Sequence, residues 1–178
     1  MGSIHYKQLT PEEIPEALLK NFTRYQETNR VIAVVDKMRI EREDHFIDDW
    51  GEKKLIETAY YLHDCAKRRG IVIGAFQEND CIGFAAIEPD RFGAQNQYLE
   101  MTFCHVSREY RGHGVGRKLF TLAADTAKTR GVGKLYISTH PSVESQAFYR
   151  AMGCVPAQEI NQEILAREPL DIQLEITL

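Results

Sequence analysis

A glycine-rich segment carries the clearest chemical signal in the sequence: Arg111-Gly112-His113-Gly114-Val115-Gly116. It lies between a predicted strand and a predicted helix, so main-chain N–H groups and the helix dipole converge on one point there. Glycine has no Cβ, which lets an anion come close to the backbone. The segment therefore predicts a site for a pyrophosphate.

Two other phosphate loops are excluded by their spacing. A dinucleotide-binding loop needs a third glycine where this sequence has Arg117, and no acidic residue ends the following strand. A Walker loop needs Gly-Lys followed by Ser or Thr, whereas this segment continues as Gly116-Arg117-Lys118. A plain glycine-rich turn stays open as an alternative.

A second segment, Ser142 to Cys154, reads Ser-Val-Glu-Ser-Gln-Ala-Phe-Tyr-Arg-Ala-Met-Gly-Cys. The two segments together resemble the GNAT acetyltransferase superfamily. The first matches its R-x-x-G-x-G pyrophosphate loop, and the second is similar to its N-x-x-A-x-x-F-Y-x-x-x-G-F helix. Ser142, Ser145 and Cys154 depart from that helix pattern. The resemblance is firm over residues 98–154 and loose over the hairpin and the first strand.

The resemblance implies that acetyl-CoA is the cosubstrate. It implies a main-chain N–H, here that of Cys104, for the thioester carbonyl, and strand-like hydrogen bonds from Val106 to the pantetheine arm. Ser142 can cap its helix and still donate a hydrogen bond. The predicted cofactor-binding residues are Cys104, His105, Val106, Arg111, Gly112, His113, Gly114, Val115, Gly116, Arg117 and Ser142.

Acetyl transfer to an amine requires a free lone pair on nitrogen. An alkyl ammonium is neutral in roughly one molecule in 2,500 at pH 7, at a cost of about 4.6 kcal/mol that a base can offset. The resemblance implies Glu100, six residues before Val106, as this base; a solvent-facing strand residue is the alternative. His105 is a rival, but strand alternation predicts that it faces away from Glu100.

The leaving group of the reaction is a thiolate, which departs more readily when an acid protonates it. The resemblance implies Tyr149 as that acid, and a core aromatic beside Phe148 is the alternative reading. Cys104 is a weaker candidate for a covalent nucleophile, because direct attack by the amine needs no acyl-enzyme and no His/Asp set surrounds it.

Composition limits the partners and the location. The 178 residues, 43% apolar and 27% charged, predict one globular domain over 1–178. A net charge of −4 without a basic block argues against nucleic acid. Without an apolar stretch of roughly 20 residues or a signal-peptide profile, we expect no membrane partner and a cytoplasmic location. Scattered cysteines, and His63 and Cys65 without further ligands, predict no metal. A homodimer stays open.

Residues 23–69 are predicted to form the acceptor side. An acidic and aromatic set there could attract a cationic small-molecule or peptide amine, although a solvated acidic face fits as well. The set comprises Glu41, Glu43, Asp44, Phe46, Asp48, Asp49, Trp50 and Glu52. The alternative function is a non-catalytic sensor that binds coenzyme A, which would need neither Glu100 nor Tyr149.

Local patterns predict the elements that position these residues. The predicted strands are Ile4–Leu9, a short one at Val31–Val35, the hairpin Ile71–Phe76 and Ile82–Ile87, Tyr98–Val106, Lys134–Ser138, a weak one after Cys154, and the alternating run from Ile172. The predicted helices run from Pro11 to about Phe22, from Glu52 to Gly70, from Gly114 to Gly131 and from Ser142 to Met152.

This order predicts an α/β (α+β) fold. We expect a mixed, mostly antiparallel twisted sheet of six to seven strands, flanked by about four helices, as in the GNAT superfamily. Its central parallel pair joins Tyr98–Val106 to Lys134–Ser138, because a helix crosses over between them. Residues 98–154 would form the acetyl-CoA core, with helices and loops over 23–69.

Overall fold

The computed structural model describes residues 2–36 and 38–178, which contain nine strands and four α-helices. The strands are β1 Ile4–Gln8, β2 Tyr25–Val35, β3 Met38–Asp49, β4 Ile71–Gln77, β5 Asp80–Ile87, β6 Tyr98–Val106, β7 Lys134–Thr139, β8 Val155–Pro156 and β9 Ile172–Thr177. The helices are α1 Glu52–Lys67, α2 Val115–Thr129, α3 Val143–Ala151 and α4 Gln162–Arg167.

Seven of these strands form one sheet in the order β1-β4-β5-β6-β7-β9-β8. Across the described residues, β6 and β7 are its one parallel pair and all other neighbours are antiparallel. The fold predicted from the sequence is confirmed.

The parallel pair separates part-way along its length. β6 pairs with β7 only from Tyr98 to Glu100, opposite Lys134 to Tyr136, although β6 continues to Val106 and β7 to Thr139. Antiparallel neighbours hold both strands in the sheet on their outer sides. A gap therefore opens between them at their carboxyl ends.

The crossover helix α2 covers one face of the sheet. Its buried side chains recur at helical spacing and pack on β4, β5 and β6. A Cβ on Gly83 of β5 would lie 2.8 Å from the Leu119 side chain, so glycine allows the close approach of helix and sheet. This packing fixes the start of α2 at the open end of the gap.

A β-bulge changes which residues of β6 share a face. The register with β5 shifts so that Thr102 has no partner on that strand. Glu100 and His105 therefore face the same side of the sheet, and the predicted opposite orientation is wrong. The side chains on the other face, beneath α2, are Leu99, Met101, Cys104 and Val106.

Strands β2 and β3 form a separate two-stranded sheet, where helices and loops were expected. Polar side chains fill the first half of β2 and most of β3, and they obscure the alternation that would identify these strands. Tertiary contacts hold the hairpin: the Ile32 amide donates to the Pro141 carbonyl, and Val31 forms a bridge with Ser142. The predicted strand Val31–Val35 is only the second half of β2.

The predicted helix from Pro11 to Phe22 is also wrong. Two short 3₁₀ turns, Pro11–Glu13 and Glu16–Leu19, take its place. Pro15 has no N–H to donate and disfavours helical geometry at Ile14, whose φ and ψ are −116° and 73°.

Helix α4 was not predicted. The Asn161 side chain caps it by accepting hydrogen bonds from the amides of Glu163 and Ile164. Ile164 packs with Tyr98 and Tyr136, so the helix lies against the part of β6 and β7 where the two strands pair. It brings a further wall to the gap between these strands.

Candidate active site

The gap between β6 and β7 is the floor of a cleft with a volume of about 1180 Å³. The loop before α2 forms one end, and residues of α4 and the segment up to Asp171 form the other. The start of α3 and the region from Arg24 to Trp50 complete the walls.

The loop before α2 has the backbone of an anion cradle. Gly112 and Gly114 have left-handed φ angles of 78° and 81°, and a Cβ at either position would meet nothing within 4 Å. Gly114 is the N-cap of α2, whose first-turn N–H groups have no intrahelical acceptor. The open space in front of these donors fits the pyrophosphate of acetyl-CoA.

Arg111 braces this loop. Its Nε donates to the Val106 carbonyl at 3.0 Å, and its Nη1 donates to the Tyr25 carbonyl at 2.8 Å. The guanidinium therefore ties the end of β6 to β2. Two more exposed arginines, Arg108 and Arg117, line the cleft, whereas the exposed His113 does not. Val115 is buried and Gly116 lies against Phe148 at the start of α2.

The part of β6 that extends beyond its pairing with β7 presents the three predicted main-chain contacts, Cys104, His105 and Val106, to the cleft. Burial raises the pKa of the Cys104 thiol to about 12, so it stays protonated at neutral pH. Burial, together with the charges of Arg24 and Arg111, puts the pKa of His105 well below its ordinary value. His105 is a neutral ring among aromatic side chains, 5.2 Å from Trp50 between ring centroids.

Tyr149 of α3 lines the same cleft and packs edge-on against Phe148 and Phe120. Burial raises its pKa well above the ordinary value, and the nearby Cys104, Cys154 and Asp171 add to the effect. Its phenol therefore keeps its proton throughout the neutral range. Tyr149 is therefore both a core aromatic and a residue of the cleft.

Glu100 lies at the other end of the cleft. Its side chain is 13% exposed, and it accepts a hydrogen bond of 2.5 Å from Arg167 of α4. Burial raises the pKa of its carboxyl, and Arg167 opposes that rise. Glu100 therefore faces the cleft, but as one half of an ion pair.

Residues 35–154 match the model of the acetyltransferase (GNAT) family. The chain belongs to this family. The family recognised from the two motifs is confirmed. Its members are acetyl-CoA-dependent acetyltransferases, in agreement with the enzyme class and the cosubstrate expected from the sequence.

Two kinds of relatives accompany the family match. Over 109 residues the chain is 36% identical to the streptothricin acetyltransferase of Streptomyces lavendulae. That stretch covers 61% of this chain and 54% of the relative, so the chain spans about half the length of the protein it matches.

Solved structures confirm the GNAT fold over the whole chain. A nourseothricin acetyltransferase has a TM-score of 0.71 at 18% identity, with 98% of both chains covered. A Bacillus anthracis str. Ames protein, provisionally assigned as a streptothricin acetyltransferase and solved with acetyl coenzyme A, has a TM-score of 0.72 at 17% identity, with 99% of both covered.

Ser142 was expected to contact the cosubstrate, but its side chain lies outside the cleft. Its side chain is fully buried and caps α3, accepting from the Ser145 amide at 3.2 Å and from Gln26 Nε2 at 3.0 Å. It does not line the cleft, and Ser145, almost one turn later, does. A side-chain contact from Ser142 to the cosubstrate is therefore not supported.

The structure adds three groups that the sequence did not indicate. Burial, reinforced by Glu168, raises the pKa of Asp171 to about 6, and Ser138 donates to it at 3.4 Å. His140 Nε2 lies 3.2 Å from Asp48 Oδ2. Arg24 borders the cleft with its guanidinium buried. These residues are far apart in sequence, and only the fold brings them together.

Two further findings concern the described residues alone. Across residues 2–36 and 38–178, no group of three His, Cys, Asp or Glu side chains is placed to hold a metal ion. In the same stretches, the helices are too short or too polar to span a bilayer.

Proposed function

We propose that this GNAT protein transfers the acetyl group of acetyl-CoA to a primary amine of a cationic small molecule, by direct attack in a ternary complex. The observation that carries the proposal is the gap between β6 and β7. It has an anion cradle at one end and buried carboxylates at the other.

Charge is distributed unevenly along this cleft. Arginines lie at the end next to the phosphate loop: Arg108, Arg111 and Arg117. Carboxylates line the rest of the cleft and form its acidic wall: Glu27, Asp48, Glu100, Glu144, Glu168 and Asp171. Arg24, Lys54 and Arg167 also line this part, and Arg167 is paired with Glu100. Because opposite charges attract, the first end favours the anionic cosubstrate and the second favours an ammonium group. The relative that acts on streptothricin supports a small-molecule acceptor for this chain as well.

Acetyl-CoA supplies, when bound, an acyl group activated as a thioester. A carboxylate of the acidic wall, Asp171 or Glu100, accepts the proton that the acceptor ammonium must lose. The freed nitrogen lone pair forms the new N–C bond as the C–S bond breaks. Tyr149 donates its phenol proton to the departing sulfur, and its oxygen takes back the second proton that the nitrogen loses as it becomes an amide. The Cys104 N–H donates a hydrogen bond to the carbonyl oxygen.

The test is mass-spectrometric screening of the protein with acetyl-CoA against streptothricin, polyamines, aminoglycosides, amino acids and peptides. We expect a mass increase of one acetyl group on a cationic small molecule. Tyr149→Phe should lower kcat by about 10²-fold and leave the Kd of CoA unchanged, because it removes a proton donor without reshaping the cleft.

The matched control for this test is Tyr60→Phe. Tyr60 is exposed on α1 and bonded to Glu16, outside the cleft, so this variant should turn over like the wild type. Equal turnover by Tyr149→Phe would remove Tyr149 from the mechanism. Binding of acetyl-CoA without transfer to any amine would instead support the sensor.

A further inference from the structure

Arg24 holds a guanidinium that is buried at the edge of the cleft. The residue is 7% exposed, and its Nε and Nη1 atoms are buried without a hydrogen-bond acceptor among the described residues. In the same part of the chain, no carboxylate lies within 4.0 Å of it: Asp48 Oδ2 is 3.2 Å from His140 Nε2 instead. A buried charge without a counter-ion is unfavourable unless a ligand supplies the missing acceptor.

The guanidinium of Arg24 borders the cleft from the side of α1. The main-chain carbonyl of Arg24 accepts a hydrogen bond from the Trp50 amide at 3.0 Å, and the Arg24 Cζ lies 5.8 Å from the centroid of the Trp50 ring. Trp50 in turn packs edge-on against His105. The positive charge thus lies beside the face of β6 that carries Glu100 and His105.

This is the face opposite to the one on which the cosubstrate groups cluster. Cys104 and Val106 pack beneath α2 with Tyr149. Arg111 already donates to two main-chain carbonyls. Arg24 is therefore a cation on the acceptor side of the cleft, and its Nε and Nη1 lack an acceptor among the residues that the structure describes.

We infer that Arg24 binds an acyl oxygen of the acceptor, a carboxylate or an amide carbonyl close to the amine that is acetylated. A guanidinium presents two parallel N–H donors, and such oxygens match that geometry. The inference rests on the proposed function and narrows its substrate class from cationic amines to amines of amino-acid type. The acidic wall holds the ammonium, and Arg24 holds the oxygen.

Three acceptors that share one diamine chain test this assignment: lysine with a carboxylate, lysinamide with a carbonyl, and cadaverine with neither. With acetyl-CoA, wild type should show at least tenfold higher kcat/KM for lysine or lysinamide than for cadaverine. Arg24→Met should abolish that preference while the KM of acetyl-CoA stays unchanged. Arg30→Met is the control, because Arg30 is exposed on β2, which follows Arg24, and pairs with Glu41.

Melting curves separate this role from a structural one and do not depend on turnover. Arg24→Met should melt no lower than wild type, because it removes an unpaired buried charge. With CoA present, lysine or lysinamide should raise the melting temperature of wild type but not of Arg24→Met. A marked fall in melting temperature, or a rise in the KM of acetyl-CoA, would overturn the inference.

The experiments distinguish failure of the proposed transfer activity from failure of the Arg24 assignment. If no amine is acetylated but the melting shift depends on Arg24, the transfer activity fails and the oxygen site stands. If wild type acetylates all three compounds equally well, the activity stands and the inference is wrong. The melting experiment decides the role of Arg24 in the first case, and the comparison of the three acceptors decides it in the second.

Discussion

Two buried carboxylates of the cleft, Glu100 and Asp171, differ in their surroundings. Burial raises the pKa of the Glu100 carboxyl, and the ion pair with Arg167 opposes that rise by stabilising the charged form. Asp171 has no such cation, and its pKa is raised to about 6. A base works best when its pKa lies near the working pH, and Asp171 is also close enough to Tyr149 to raise that residue's pKa. These surroundings favour Asp171.

We therefore expect kcat/KM of the wild type to fall as the pH drops below about 6, because protonated Asp171 cannot accept the ammonium proton. Asp171→Asn should lower kcat at pH 7.5 by about 10²-fold and remove this fall in kcat/KM at low pH. Glu100→Gln, the matched carboxylate control, should keep the fall in kcat/KM below about pH 6. The measurement is a pH–rate profile of all three proteins.

A buried carboxylate with a raised pKa lowers the stability of the folded protein at neutral pH, whereas a carboxylate held in an ion pair would raise it. Burial disfavours the charged form of Asp171, so it costs folding free energy above pH 6 and less below it. Asp171→Asn should then raise the melting temperature at pH 7.5. If Asp171→Asn melts at a lower temperature, or still shows the fall in kcat/KM at low pH, Glu100 is the base instead.

At the scale of elements, the start of α2 determines how the cosubstrate is held. Gly114→Ala places a Cβ on a left-handed residue, which costs about 1 kcal/mol, and directs it into the open space of the cradle. We expect the Kd of CoA to rise at least tenfold in calorimetry. The added methyl group lies where the pyrophosphate should bind.

Gly131 offers a control at the other end of the same helix. It too has a left-handed φ, 71°, with nothing within 4 Å of an added Cβ, but it lies far from the cleft. Gly131→Ala should lose a similar amount of stability and keep the Kd of CoA. Equal losses of CoA affinity in both variants would show that the loop does not bind the pyrophosphate.

The elements also show what the sequence can and cannot reveal. Strands β4 to β7 and helices α1 to α3 carry strong local periodicity, and their predictions are confirmed. Strands β2 and β3 are stabilised by each other and by Pro141 and Ser142, so their polar sequence conceals them. The bulge at Thr102 has no local signal, yet it decides that His105 shares a face with Glu100.

The same limit applies to the site. The phosphate loop and Tyr149 belong to contiguous motifs, so their residues could be proposed from the sequence. Asp171, His140 and Arg24 come from three distant segments and meet only because β6 and β7 separate. Their perturbed titration depends on burial, which a sequence does not display.

At the scale of the whole molecule, the cleft is arranged for two substrates at once. The cosubstrate cradle and the acidic wall lie at opposite ends of one cavity of about 1180 Å³. No covalent relay between them is required, because the Cys104 thiol has a pKa of about 12 and little nucleophilic thiolate at neutral pH. We therefore expect sequential kinetics, with double-reciprocal lines that intersect when both substrates are varied.

Cys104→Ala tests this arrangement directly. The variant keeps the main-chain N–H of residue 104 and loses only a thiol whose Sγ lies 3.8 Å from the Gly116 carbonyl. It should retain kcat within a factor of about three, since the amine attacks the thioester itself. Parallel double-reciprocal lines, or an acetylated Cys104 in the mass spectrum of protein mixed with acetyl-CoA alone, would show a ping-pong route. In that case the opposed charges at the two ends of the cleft would serve two successive substrates.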